Sequence, residues 1–105
     1  MTIQKLKKNE EFRSVFKAGI RKERKYFYLY RAPKKQDKSR IGIIVKKEIG
    51  NAVQRNRIKR ILREIFRKRC DDLFSHDDII VMVKREILYT QLKEIEIEFE
   101  RVIRE

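Results

Sequence analysis

The stretch over residues 46–69 constrains the fold most, because it predicts one long helix with a defined start. Gly50 allows a turn, Asn51 is a favourable N-cap, and Gln54 stands where the partner in a capping box would stand. Apolar residues then recur at helical period and form one stripe, which consists of Ile58, Ile61, Leu62, Ile65 and Phe66. The pattern therefore predicts a helix that buries one face against the rest of the protein.

The other face of this predicted helix is densely basic. At about 100° per residue, the side chains opposite the stripe are Asn56, Lys59, Arg60, Arg63 and Arg67, and those flanking it are Arg55 and Arg57. Glu64 is the only acidic residue between Arg55 and Arg69, so pairs one turn apart cannot balance the charge. A solvated surface is the plain alternative, but the crowding of like charges favours a face that binds a polyanion.

The composition indicates the same class of partner. Lys and Arg number 29 against 16 Asp and Glu, which gives a formal net charge of +13 and an isoelectric point near 10.1. Such a chain is expected to bind a nucleic acid or an anionic membrane. A membrane is disfavoured, because the longest apolar run, residues 79–83, is too short to span a bilayer. No signal peptide is visible, and the single Cys70 suits a reducing compartment, so we expect a cytoplasmic protein.

The chain divides into few elements within one expected domain, residues 1–105. Residues 1–8 are predicted to be a flexible basic lead-in, and a first helix runs from Asn9, as its cap, to the terminal Gly19. Strands are predicted over 25–32, 40–47 and 79–84, a loop over 33–39, a connection over 70–78, and a final helix within 88–105. Strand, helix and strand around the basic helix imply a parallel pair joined by a crossover.

Aromatic residues recur on the predicted first helix and first strand. Phe12 and Phe16 lie one turn apart on the helix, and the strand alternation puts Tyr26, Tyr28 and Tyr30 on one face. These rings are either part of the core or a platform on which unpaired bases stack, and the pattern leaves both open. In the second strand, Gly42 indicates either a close approach by another group or a bulge.

No set of side chains predicts a protein active site. His76 is the only histidine, which excludes chemistry that needs two, and Cys70 has no evident base partner. The aspartates at 71, 72, 77 and 78 are able in principle to hold Mg²⁺ as in a metal nuclease, although offsetting the basic helix is their simpler role. Since no glycine-rich phosphate loop or zinc spacing occurs either, we expect no catalytic and no metal-binding residue in the protein.

The run over residues 49–60, which contains Arg55-Asn56-Arg57 followed by Lys59 and Arg60, resembles the RNR signature of the protein subunit of bacterial ribonuclease P. The resemblance covers nearly the whole chain. Residues 8–19 resemble the first helix of the family, 27–30 its first long strand, and 40–47 the strand before the signature.

The resemblance implies a fold and a function. The fold is a small α/β (α+β) sandwich with a mainly four-stranded sheet, in the order α-β-β-β-α-β-α. Its crossover around the basic helix is left-handed, against the usual rule. The protein is the accessory subunit of a ribonucleoprotein endonuclease that removes the 5′ leader from precursor tRNA. Mg²⁺, bound mainly by the catalytic RNA, performs the hydrolysis, while the protein binds the leader and assists metal binding and RNA folding.

The resemblance also assigns site residues by position. Those that contact the catalytic RNA are Arg55, Asn56, Arg57, Lys59, Arg60 and Arg63, and Arg67 joins them on the same face. Those that form a cleft for the single-stranded leader, between first helix and sheet, are Phe12, Phe16, Tyr28, Tyr30, Ile44 and Lys46. Two departures are present: Glu48 stands where many relatives have lysine, and Lys84-Arg85-Glu86 stands where they have Arg followed by Pro or Gly.

Three other classes of protein fit parts of the pattern. An RNA-binding protein of ribosomal or chaperone type would share the charge, but it would not need the RNR run together with an aromatic cleft. A stand-alone metal nuclease would cut RNA without a partner. A DNA-binding module is disfavoured, because no short helix and turn precede the basic helix for helix-turn-helix docking.

Overall fold

The computed structural model describes residues 4–33, 40–73 and 77–104. The strands are β1 (Gln4–Lys5), β2 (Ile20–Glu23), β3 (Phe27–Pro33), β4 (Arg40–Ile44) and β5 (Asp77–Val83). The helices are α1 (Asn9–Ala18), α2 (Ala52–Leu73) and α3 (Leu92–Arg104), and 3₁₀ turns cover Lys47–Ile49 and Arg85–Tyr89.

The strands form one sheet in the order β1-β4-β5-β3-β2. β4 and β5 are parallel and are joined through α2, as the sequence predicts, while β3 is antiparallel to both β5 and β2. The two-residue β1 adds a short fifth strand beside β4. The predicted α/β class and element order are therefore confirmed, and the left hand of the crossover stays a prediction.

Part of the N-terminal lead-in pairs with the sheet. Gln4 and Lys5 pair in parallel with β4, and the backbone N–H of Leu6 donates to the carbonyl of Ile41 at 2.9 Å. The Leu6 side chain is 6% exposed and lies under α1. The flexibility expected of residues 1–8 stays a prediction, while burial of the one apolar side chain of Leu6 gives this stretch a contact with the sheet. Residues 1–3 lie outside the described residues.

The start of α1 also differs from the prediction. Asn9 is the first helical residue, and Lys8 occupies the N-cap position. The carboxylate of Glu11 accepts the backbone N–H groups of Lys7 at 2.7 Å and Lys8 at 3.0 Å. A carboxylate from the first turn of α1 therefore accepts the two backbone N–H groups that come just before the helix.

Two positions require glycine because a Cβ atom there would lie too close to neighbouring atoms. At Gly19, which ends α1 with an ordinary φ of −79°, a Cβ would lie 2.5 Å from the carbonyl oxygen of Val15. At Gly42, in the middle of β4, a Cβ would lie 2.8 Å from Cζ of Phe12. The close approach predicted at Gly42 is thus confirmed, and the approaching group is an aromatic ring of α1.

Each face of the sheet carries its own apolar cluster. The larger cluster lies between the sheet and the helices α2 and α3, and its fully buried members include Phe27, Leu29, Leu62, Phe66, Ile79 and Phe99. The smaller cluster lies beneath α1 and contains Leu6, Val15, Ala32 and Ile80, with Phe12, Tyr30 and Ile44 partly buried at its margin. A single ten-residue helix therefore covers the second face only in part, and side chains of the strands beside it stay partly exposed. We call this partly covered strip the trough; its members are Phe16, Tyr28, Tyr30, Ile44 and Met82.

The three tyrosines do not share one face. Tyr26 precedes β3, is 6% exposed and belongs to the larger cluster, whereas Tyr28 and Tyr30 lie on the α1 face. The alternation fails at Tyr26 because the strand begins only at Phe27. At the other end of the chain, the predicted final helix is confirmed as α3, but it begins at Leu92 and not at Leu88, which lies in the 3₁₀ turn before it. Leu92 is 52% exposed.

Candidate nucleic-acid interface

The start of α2 is fixed by reciprocal side-chain hydrogen bonds. Oδ1 of Asn51 accepts the N–H of Gln54 at 2.8 Å, and Oε1 of Gln54 accepts the N–H of Asn51 at 2.9 Å. This capping box is the one predicted from the sequence. It sets the rotation at which the basic residues of the next turns leave the helix. The helix continues to Leu73, so the connection predicted from residue 70 begins later.

The two faces of α2 are separated as the periodicity predicts. Ile58, Leu62, Ile65 and Phe66 are at most 6% exposed, and Ile61 is half-buried against the same cluster. Opposite them, the exposed residues are Asn56, Arg57, Arg60, Arg63 and Arg67, whereas Arg55 and Lys59 are half-buried along one flank.

Most cations of this face lack a counter-ion within the part of the chain that the structure describes. Arg67 pairs with Glu64, but no described carboxylate pairs with Arg57, Lys59, Arg60 or Arg63. The Nε atom of Arg55 is buried, and no described group accepts its proton. The basic face is therefore an uncompensated positive surface on a rigid helix, which is suited to phosphate groups.

The trough on the other face of the sheet is lined by aromatic rings. Phe16 of α1 meets Tyr30 of β3 edge to face, with ring centroids 4.7 Å apart and an interplanar angle of 83°. Phe16 is 37% exposed, and Tyr30 is half-buried. Part of the Phe16 ring is thus free to contact a ligand while its edge-to-face contact holds it in place.

Tyr28 lies next along the trough and is surrounded by cations. Nζ of Lys84 lies 4.6 Å from the ring centroid, and Cζ of Arg21 lies 5.1 Å from it. Lys84 also donates to the carboxylate of Glu23 at 2.6 Å, and this hydrogen bond lowers the pKa of Glu23. Tyr28 therefore combines a stacking surface with positive charge, as binding of a single-stranded polyanion requires.

The strand register adds residues that the sequence analysis did not identify. Tyr28 pairs with Met82, and Met82 pairs with Ile44, so the three side chains cross the floor of the trough in one row. Arg21 comes from β2, which the sequence did not reveal because its four residues, Ile-Arg-Lys-Glu, show no clear apolar alternation. For Met82, the sequence contained only one indication that it faces the trough. It occupies an even-numbered position in a strand whose residues are otherwise expected to be fully buried, and even-numbered positions share one face.

The remaining predicted cleft residues are spread along the trough. Lys46 is exposed just after β4, whereas Phe12 lies deeper, with its ring against Gly42. Phe12 also lines a cavity of about 110 Å³ with Lys59 and Arg63 of α2. Because this cavity reaches from α1 along Ile41, Gly42 and Ile43 of β4 to α2, the aromatic and basic surfaces meet there.

The two departures from the expected sequence touch each other. Arg85 opens the 3₁₀ turn after β5, and its guanidinium donates to the backbone carbonyl of Glu48 at 2.9 Å. Glu48 is exposed within the turn that precedes α2. The end of β5 and the entrance to α2 are thereby fastened together.

Acidic side chains on the sheet are used in ion pairs. Arg31 pairs with Asp77 at 2.5 Å, and Arg40 pairs with Asp78 at 2.7 Å. The described residues contain no group of three or more His, Cys, Asp or Glu side chains placed to hold a metal ion. The structure does not describe the side chains of Cys70, Asp71, Asp72 and His76. No helix in the described ranges is long and apolar enough to cross a membrane.

Comparisons of sequence point to one family. The family model described as Ribonuclease P matches residues 2–105. The chain is 44% identical over 82 residues to the ribonuclease P protein component of Bacillus pumilus, covering 77% of this chain and 69% of that protein. It is 39% identical over 102 residues to the component of Shouchella clausii, covering 96% and 84% of the two chains.

Comparisons of structure agree with those of sequence. The Staphylococcus aureus ribonuclease P protein superposes with a TM-score of 0.86 at 35% identity, covering 95% of this chain and 92% of that chain. The Thermotoga maritima ribonuclease P protein superposes with a TM-score of 0.85 at 28% identity, covering 95% and 94%. The similarity therefore includes the whole sheet and all three helices.

Proposed function

The chain belongs to the ribonuclease P protein family, an RNA-binding family of tRNA processing, and on that premise we propose that it is the accessory subunit of the RNA-based endonuclease. In this role it joins a catalytic RNA, and the particle removes the 5′ leader from precursor tRNA. The observation that carries the proposal is the presence of two unlike surfaces on one sheet. The basic helix α2 lies on one face, and the partly exposed aromatic side chains of the trough lie on the other.

The basic face of α2 is the proposed contact with the catalytic RNA. Its side chains are Arg55, Asn56, Arg57, Lys59, Arg60, Arg63 and Arg67. Helical spacing holds several of these cations at fixed distances, which suits the phosphates of a structured RNA better than a flexible basic tail would. Release of counter-ions from that RNA supplies much of the binding free energy, so the affinity falls as salt rises.

The trough is the proposed site for the 5′ leader. Its predicted residues are Phe12, Phe16, Tyr28, Tyr30, Ile44 and Lys46, and Met82, Arg21 and Lys84 complete it by position. Aromatic stacking contributes about 1–3 kcal/mol per base and tolerates any base sequence. That tolerance suits an enzyme that processes many different leaders.

Mg²⁺ belongs, in this proposal, mainly to the partner RNA. The sheet carboxylates of Asp77 and Asp78 already accept from arginines, so binding a cation there would break existing ion pairs. When bound by the RNA, Mg²⁺ supplies the activated water and the stabilisation of the leaving oxygen. The protein residues bind and orient the leader and screen phosphate repulsion. We place the particle in the cytoplasm, with neither DNA nor a membrane as partner.

Cleavage of a 5′-labelled precursor tRNA at low Mg²⁺ tests the proposal. The protein alone, a bacterial ribonuclease P RNA alone, and both together are compared. We expect cleavage at the mature 5′ end only in the complete mixture. Cleavage by the protein alone would indicate a protein active site, and no gain from folded protein would favour a general RNA-binding protein instead.

A further inference from the structure

A second cavity, of about 130 Å³, opens between the first half of α2 and the segment that leads from β5 into α3. Its apolar walls include Ile61 on α2 and Leu88 and Leu92 opposite. The polar residues that line it are Gln54, Arg57 and Thr90, and Oε1 of Gln54 already accepts the N–H of Asn51. None of the described residues lining it is acidic. This combination of apolar walls with a few polar groups is typical of a small-ligand site.

Large apolar side chains are exposed in the wall of the cavity and at residues next in sequence to those that line it. Leu92, in its wall, is 52% exposed. Val53, which precedes the lining residue Gln54, is 78% exposed, and Tyr89, between Leu88 and Thr90, is 81% exposed. Apolar groups concentrated beside a cavity mark a binding surface, whereas single exposed ones need no explanation.

The charge around the cavity favours an anionic partner. Arg57 lines the cavity, and Arg60 lies three residues further along α2; neither pairs with a described carboxylate. An apolar peptide or a second copy of this chain would leave Arg57 without a counter-charge at its interface. A nucleotide matches the apolar walls, the polar residues and the cation of the cavity. Its base has flat apolar faces and polar edges, and its phosphate is negative.

We propose that this cavity receives one unstacked nucleobase of the catalytic RNA, with the phosphate of that nucleotide at Arg57. The proposal rests on the proposed function and adds a contact of a different kind to it. The basic face of α2 holds phosphates, which alone would let the helix slide along the RNA. An inserted base would fix its register. The burial of the base contributes a part of the affinity that changes little with salt, unlike the phosphate contact at Arg57.

A pair of matched variants on α3 tests the site. Leu92→Gln keeps the side-chain size but makes the exposed wall polar, and Ile97→Gln makes the same change on α3 at a residue that is 37% exposed and does not line the cavity. Affinity for a bacterial ribonuclease P RNA is measured over a range of salt concentrations. We expect Leu92→Gln to weaken binding about fivefold or more with an unchanged salt slope, since a stacked base contributes about 1–3 kcal/mol. Ile97→Gln should bind like wild type.

Chemical probing of the RNA bases identifies the occupant. A base that is protected by wild-type protein and becomes reactive again with Leu92→Gln would support the proposal. Equal affinity and equal protection for Leu92→Gln and Ile97→Gln would overturn it, as would a wild-type dimer that Leu92→Gln converts to a monomer with full RNA affinity. If wild-type protein itself fails to bind the RNA, the proposed function fails first.

Discussion

Arg40 and Asp78 form a bidentate ion pair across the parallel ladder of β4 and β5. Nε of Arg40 donates to Oδ1 of Asp78 at 2.9 Å, and Nη2 donates to Oδ2 at 2.7 Å. The remaining Nη1 donates to Glu11 at the start of α1, and the side chain of Asp78 is completely buried. One guanidinium therefore joins the two central strands to the helix that forms one wall of the trough.

Replacing Arg40 by Met should destabilise the protein strongly. The change leaves the buried carboxylate of Asp78 without this partner, and breaking such a pair from one side costs about 3–5 kcal/mol. Urea unfolding measures the loss. Arg104→Met, which removes an exposed pair with Glu100, is the control and should change the free energy of unfolding by less than about 1 kcal/mol. Similar losses for the two variants would contradict the special role of Arg40.

Glu11 should make stability depend on pH in the acidic range. The backbone N–H groups of Lys8 and Lys7, and then the charge of Arg40, lower the pKa of Glu11 below its usual 4.5. Since the folded pKa is the lower one, the stabilisation is complete above the unfolded pKa and is lost as the pH falls through the folded pKa. Glu11→Gln should therefore be less stable than wild type near pH 7, and the gap should narrow toward pH 3. Urea midpoints along the pH range measure this, with Glu10→Gln as control; a constant gap would argue against it.

Gly42→Ala should clash with the ring of Phe12. The added methyl would lie 2.8 Å from Cζ of that ring, and overpacking of this kind costs about 1–3 kcal/mol. In a Phe12→Ala background the same methyl meets no ring, so Gly42→Ala should cost much less. A double-mutant cycle by urea unfolding measures the difference. Additive free energies would show that another neighbour, such as Leu6, takes up the strain.

Arg60→Ala should weaken binding to the catalytic RNA and flatten its salt dependence. Arg60 is exposed on the basic face, and losing one phosphate contact should reduce the slope of log K against log salt by roughly 0.7–0.9. Arg101→Ala, a cation of α3 that pairs with Glu98, is the control and should leave the slope unchanged. An unaltered slope for Arg60→Ala would remove this residue from the RNA contact.

Phe16→Ala should discriminate precursor from mature tRNA. The loss of one stacking ring, worth about 1–3 kcal/mol, should weaken binding of precursor tRNA to the holoenzyme about 5- to 150-fold. Mature tRNA, which lacks the leader, should bind as before. Ile20→Ala, at a residue that is 69% exposed on the other face of the sheet, serves as control. Equal losses for both RNAs would remove Phe16 from the leader site.

Much of the helix-based site could be predicted because its determinants are local. The capping pair of Asn51 and Gln54 lies within one turn, and the apolar stripe and basic face of α2 follow from a single period. The trough was predictable only in part. Phe16 and Tyr30 have recognisable spacing, but their contact needs α1 to lie across β3 at a particular place.

The sequence by itself determined the basic face of α2, the parallel pair around it and the resemblance to one family. Only the tertiary structure decided that Tyr26 enters the core while Tyr28 faces the trough, and that Arg21 and Lys84 both lie over the Tyr28 ring. The physical reason is how far apart in the chain the interacting residues lie. Caps and helical stripes are set by neighbours a turn apart, whereas strand register joins residues far apart in the chain, so a side chain's surroundings depend on the whole sheet.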